Sequence, residues 1–191
     1  MKKVLPFILF LIVPCLMMAQ SFSDNFDSYK AGDQLAKTNF RWSTWNGMPG
    51  TDEDGVISNQ YAASAPNSLE IKGSSDVIYN FEELNYGRYL ISFKYFIPTG
   101  SNGGYFNCLH EYGNAETSIW AFECFFHGNG TGYLKINNEE YNFTAVANEW
   151  FPVLLDINID DDSVALTIND KFVKGWPFHY AADGTGLYDK L

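Results

Sequence analysis

From residue 21 onward, apolar and polar residues alternate in short runs, and Gly, Asn, Asp and Pro break those runs. Alternation with period two sends successive side chains to opposite faces of an extended chain, so it predicts strands. In GRYLISFKYFIP (87–98), Tyr89, Ile91, Phe93 and Tyr95 fall on one face and Pro98 ends the run. GYLKINNEEYNF reads as a hairpin about Asn137-Asn138, because asparagine tolerates the left-handed backbone of a two-residue turn. WFPVLLDINIDDDSVALTINDKFVKGW supplies two further turns, at Asp160 to Asp162 and at Asn169-Asp170. No segment carries the period of 3.6 that marks an amphipathic helix. Strands at such regular spacing predict an all-β fold built from antiparallel sheets, a sandwich or a barrel.

The first twenty residues stand apart. Lys2 and Lys3 precede an unbroken apolar run from Val4 to Met18, and Ala19-Gln20 then leads into polar chain. That is the order of a secretory signal peptide, with the cut after Ala19 or Gln20. Fifteen apolar residues fall short of the roughly 20 that span a bilayer, and Pro6 and Pro14 would strain such a helix. The expectation is an exported protein, extracellular or on the outer cell surface, with no membrane span after residue 20.

Removing the leader sharpens the charge. Two of the 12 Lys and Arg residues lie in it, which leaves ten against 23 acids and a net charge of −13 with histidine neutral. Phosphate recognition depends on clustered Lys and Arg, and no such cluster occurs, so nucleic acid and anionic lipid are excluded as partners. Neutral glycans, cations and basic proteins remain. About 170 residues suit one domain, 21–191, able to bury a full core.

Candidate chemistry concentrates in GYFNCLHEYGNAETSIWAFECFFHG (104–128), read as two strands joined around Gly113 to Ser118. Parity gives one face to Phe106, Cys108, His110, Tyr112, Trp120, Phe122, Cys124 and Phe126, which is apolar enough to be core. The other face carries Tyr105, Asn107, Leu109 and Glu111 with Ile119, Ala121, Glu123, Phe125 and His127. Aromatic rings beside amide and carboxylate groups suit a sugar, whose apolar face stacks while its hydroxyls are hydrogen-bonded. If Cys108 stands opposite Cys124, Glu111 and Glu123 lie diagonally, on the order of 7–8 Å apart. Such a pair is either two solvated strand acids or an acid and base for glycosidic cleavage, where separations of about 5–9.5 Å are used. Tyr105, Asn107 and His127 are the corresponding candidates for a lyase. The two cysteines are either a bridge or two buried thiols. Asp52 to Asp54 are expected in a solvated loop after the Pro49-Gly50 turn, and Trp45 beside NGMPG is the tryptophan expected to stay partly exposed. Trp42, Trp120, Trp150 and Trp176 are expected in packing.

DNFDSYKAGDQL, RWSTW, PGTDEDGVISNQYAASAPNSLEI, YFNCLHEY and ANEWFPVLLDINIDDDSVALTINDKFV together resemble the concanavalin A-like lectin and glucanase jelly rolls. More narrowly, they resemble modules of multidomain surface proteins that some Gram-negative bacteria export by the type IX route. The likeness covers most of residues 22 to 180. It implies an antiparallel two-sheet jelly-roll sandwich and a non-catalytic recognition module, most plausibly for carbohydrate. A structural or adhesive module without a glycan ligand and a glycan-cleaving enzyme are the alternatives. Glucanases of this fold carry an E-x-D-x-x-E strand motif that this chain lacks, which leans against an enzyme. The resemblance also implies a structural calcium held in part by Asp24 and Asp27, with Asp52 or Asp54 as further oxygen donors. It implies one more strand beyond GLYDKL, as though the domain were truncated at its C-terminal strand.

Overall fold

The computed structural model describes residues 21–81, 83–113 and 117–191, and the signal peptide read from the sequence lies outside them. In chain order the elements are α1 (Leu35–Thr38), β1 (Trp42–Thr44), β2 (Val56–Ser58), β3 (Ser68–Glu70), β4 (Val77–Tyr79), β5 (Arg88–Phe96), β6 (Gly104–Glu111), β7 (Ile119–Phe126), β8 (Thr131–Ile136), β9 (Glu139–Thr144), β10 (Trp150–Asn158), β11 (Ser163–Ile168) and β12 (Lys171–Trp176). The fold is all-β and every strand pair is antiparallel. Among the described residues no helix is long and apolar enough to cross a membrane.

Two four-stranded sheets enclose the main core in a sandwich-like arrangement. One runs β12-β11-β10-β5 and the other β6-β7-β8-β9. Alternation decides which side chains meet. Ile91, Phe93 and Tyr95 of β5, with Phe151, Val153, Leu155 and Ile157 of β10, face Phe106, Phe122, Cys124, Phe126 and Leu134 of the second sheet. Rings close the gap between sheets, with Phe93–Phe106 centroids at 5.1 Å, Phe126–Phe151 at 5.5 Å and Phe122–Trp176 at 5.5 Å. Burying each such ring contributes about 1.5–3 kcal/mol, so these contacts outweigh any single polar interaction on the outer faces. The expected turns form. Asn137 and Asn138 have φ of 49° and 59°, and Asn169 and Asp170 have φ of 50° and 58°, the paired left-handed geometry of a tight hairpin.

The N-terminal third forms two small sheets, β1-β4 and β2-β3. Here the loop expected to be solvated proves otherwise at one position. Asp54 is 1% exposed, and its carboxylate accepts hydrogen bonds from the amides of Ala36 (2.8 Å), Lys37 (3.0 Å) and Gly50 (2.9 Å). Gln34, at the start of α1, makes no capping bond of its own, so Asp54 supplies the cap from across the chain. Asp52 is exposed as expected.

Two further expectations need correction. Trp150 pairs with Phe96 on the outer side of its sheet (centroids 5.4 Å apart) and is only half-buried, while Phe151 takes the core position. In the β6–β7 pair, Cys108 stands opposite Phe122, and Cys124 opposite Phe106. The cysteines are free and buried, and burial alone pushes the Cys108 thiol up to about 12.

Candidate functional site

Register builds the outer face of the β6–β9 sheet. Tyr105 pairs with Phe125, Phe125 with Tyr133, and Tyr133 with Asn142. One step along, Asn107 pairs with Glu123, Glu123 with Lys135, and Lys135 with Glu140. Cross-strand partners share a face, so the sheet carries two parallel rows, one mainly aromatic and one charged or amide. The rows are cross-linked. The Asn107 amide donates to the Tyr105 hydroxyl at 2.9 Å, that hydroxyl donates to Glu123 at 3.4 Å, and the Lys135 ammonium donates to Glu123 at 2.9 Å. Burial, then the Glu123 carboxylate, pushes the Tyr105 phenol well above its usual range. The hydrogen bond to Glu123 raises Lys135. Glu123 is therefore an ion-paired carboxylate whose work is to position Tyr105 and Lys135.

The rings are arranged differently from a stacking platform. Phe125 and Tyr133 lie 4.6 Å apart and 16° from parallel, so each covers a face of the other. Tyr105 leans on Phe125 at 4.8 Å and 44°, is 38% exposed, and ends the row. What the row offers to solvent is ring edges, tyrosine hydroxyls and the free side of Tyr105. His127 continues the line beyond Tyr133, at 5.9 Å, and is exposed. It borders a shallow depression of about 430 Å³ with Thr131, Gly132, Asn142, Phe143 and Thr144. Hydroxyls, amides and an imidazole on such a surface can exchange hydrogen bonds with a polyhydroxylated ligand.

Trp45 is half-buried and its ring is spent on packing. It stacks on Trp120 at 5.8 Å, meets Tyr112 edge-on at 5.7 Å, and its carbonyl accepts the Tyr112 hydroxyl at 2.6 Å. Parity put Trp120 and Tyr112 in the core, and a bulge overturns this. The register slips after Cys108 and again after Leu109, so Ala121 and Phe122 are both buried and Trp120 turns outward opposite Leu109. The overall register of the pair, rather than the bulge, separates the two candidate acids. Glu111 faces Ile119 whereas Glu123 faces Asn107, which sets them roughly 10–13 Å apart along the strands. The diagonal acid–base pair is therefore not formed.

Asp24 and Asp27 are engaged by protein. Asp24 accepts from the Phe26 amide at 2.9 Å and the Tyr29 hydroxyl at 2.7 Å, and Asp27 accepts from the side chain of Asn25 at 2.6 Å and the amide of Asn67 at 3.1 Å. Among the described residues, no three His, Cys, Asp or Glu side chains gather as a metal would require. Tyr133, Lys135, Glu140 and Asn142 complete the rows and were not singled out from the sequence. Counting outward from the Asn137-Asn138 turn pairs Tyr133 with Asn142 and Lys135 with Glu140, so the signal was present. Comparison with family models, curated proteins and solved structures gives no match for this chain. Any functional reading therefore stands on this face.

Proposed function

We propose that the chain is an exported, non-catalytic recognition module of the concanavalin A-like jelly-roll kind, binding carbohydrate on the outer face of β6–β9. The observation that carries the reading is the registered pair of rows, Tyr105–Phe125–Tyr133–Asn142 beside Asn107–Glu123–Lys135–Glu140. Ligand contact is hydrogen bonding by Asn107, Asn142, His127 and the tyrosine hydroxyls, with stacking confined to the free side of Tyr105. The reading is tested by glycan-array binding of residues 21–191, with calcium and again with chelator. Specific binding lost in both Tyr105→Ala and Asn107→Ala, with circular dichroism unchanged, supports it. Unchanged affinity in both variants removes the face. Loss with chelator makes Asp24 and Asp27 cation ligands. The mutual covering of Phe125 and Tyr133 favours one alternative, a structural or adhesive module of a larger surface protein. A folded chain that binds no glycan in either buffer would select it.

A further inference from the structure

Segment 177–191 is held by the burial of Phe178, Ala181 and Ala182, by backbone bonds, and by one buried polar side chain of the second sheet. His110, on β6, is 2% exposed. Its Nδ1 lies 2.6 Å from the carbonyl oxygen of Lys190 and its Nε2 lies 3.0 Å from that of Tyr180. Carbonyl oxygens only accept. A neutral imidazole has one N–H, so it can serve one of these carbonyls and must turn a lone pair on the other. Away from water that mismatch costs as much as an unsatisfied polar group. The imidazolium donates to both.

The surroundings accept a positive charge. Tyr188 stacks on the imidazole at 5.0 Å and 22°, and Phe178 meets it edge-on at 4.9 Å. Ring faces attract cations by their quadrupole. The charged and titratable neighbours are few. On β6 itself, Cys108 is buried and Glu111 exposed. From the segment come the Tyr180 and Tyr188 phenols, His179, whose ring is held by Asp162 at 2.5 Å, Asp189, and Lys190, whose ammonium is drawn off to Glu83 at 3.6 Å. Both ring nitrogens are already committed to carbonyls, so neither has a carboxylate partner.

The segment also reaches the ligand face. The Ala182 amide donates to the Trp120 carbonyl at 2.7 Å, and the Asn137 and Asn138 amides donate to the Ala181 and Ala182 carbonyls at 2.9 Å. Asp183, held low first by the Thr185 hydroxyl, also feels the Lys135 ammonium. Leu84 and Leu191 exchange backbone bonds of 3.1 and 2.9 Å.

We propose that His110 is a proton-operated clasp, pinning residues 180–191 tightly against β6 while both ring nitrogens are protonated and loosening them when one proton is lost. The clasp closes in acid and opens as pH rises. Opening withdraws Asp183 from Lys135 and so alters the charged row. That last consequence rests on the proposed ligand face, whereas the clasp does not.

The experiment uses the full mature chain, ¹⁵N-labelled, and needs no ligand. Ring ¹H–¹⁵N correlation is expected to show both His110 nitrogens protonated in acid. Amide-exchange protection of Ala182, Tyr188 and Leu191 is then followed from about pH 5 to pH 9. It is expected to fall as pH rises and the ring loses a proton, while β10 and β11 amides hold theirs. In His110→Gln the same three amides should show low, pH-independent protection. A single protonated nitrogen in acid, or a flat profile in the unmutated chain, overturns the clasp. Both readings come from the unmutated protein, so a variant that fails to fold leaves the test intact.

Discussion

Replacing Asp54 tests whether the acid run after Pro49-Gly50 is surface or scaffold. The carboxylate is 1% exposed and receives three amide hydrogen bonds, two from the first turn of α1 and one from Gly50. Bonds to a charged acceptor contribute about 1.5–3 kcal/mol each and do not add fully when they share one group. Asp54→Ala orphans three N–H groups and removes the link between α1 and the Gly50 turn. A loss of about 3–4 kcal/mol is expected, a large share of the 5–15 kcal/mol that holds a typical domain folded. Urea denaturation measures it. With a slope of about 2 kcal/mol per M, the midpoint should fall by roughly 1.5–2 M at unchanged slope. Asp54→Asn should lose about half as much, because one oxygen still accepts while the new NH2 confronts an N–H. Asp52→Ala, at an exposed neighbour, should stay within about 0.5 kcal/mol. If Asp54→Ala costs less than about 1 kcal/mol, the cap is not holding α1 and the solvated-loop expectation returns.

Two other outcomes follow from buried titratable groups. Cys108 and Cys124 should resist thiol reagents in the native state at pH 8 and react fully once unfolded, because burial pushes both thiols up. Fast native labelling, or a mass change on reduction, would contradict their state. Burial also raises the Tyr95 phenol from 10.0 to about 12. A folded-state value above the unfolded one means that the stabilisation is whole below pH 10. It disappears as pH climbs to 12, removing on the order of 3 kcal/mol. Tyrosinate absorbance and urea midpoints across that window check it, and Tyr95→Phe should remove one group's share of the slope, the raised Tyr105 phenol and the Cys108 and Cys124 thiols carrying the rest.

Legibility from sequence divided along the distance between partners. The turns at Asn137-Asn138 and Asn169-Asp170 were readable because the backbone demand and the residues that meet it are adjacent. The same locality made the core side of β5 readable, since period-two alternation needs only the strand itself. At β6–β7 the reading failed in two ways: the strands pair two residues away from the register that would oppose Cys108 and Cys124, and a local irregularity at Leu109 turns Trp120 outward without any Gly or Pro to announce it. Everything inferred through that register moved with it. The pairing register removes the opposition of the cysteines and the diagonal of the acids, and the irregularity takes Trp120 out of the core. Asp54 was misjudged, and the partners of His110, whose place in the core was read correctly, went unread, for a related reason. Their partners lie 17 to 18 and 70 to 80 residues away, so neither a cap nor a double-carbonyl contact leaves a local pattern. The candidate face falls between these cases. Its β8–β9 half could be counted from an Asn-Asn turn, but its joins to β7 and β6 rest on pairings that no two-residue turn fixes. Tyr105, Asn107 and Glu123 were named from parity on their own strands, whereas only the four-strand register shows that Tyr133, Lys135 and Asn142 share their face. The ion pair that occupies Glu123 likewise became visible only when the third strand was in place.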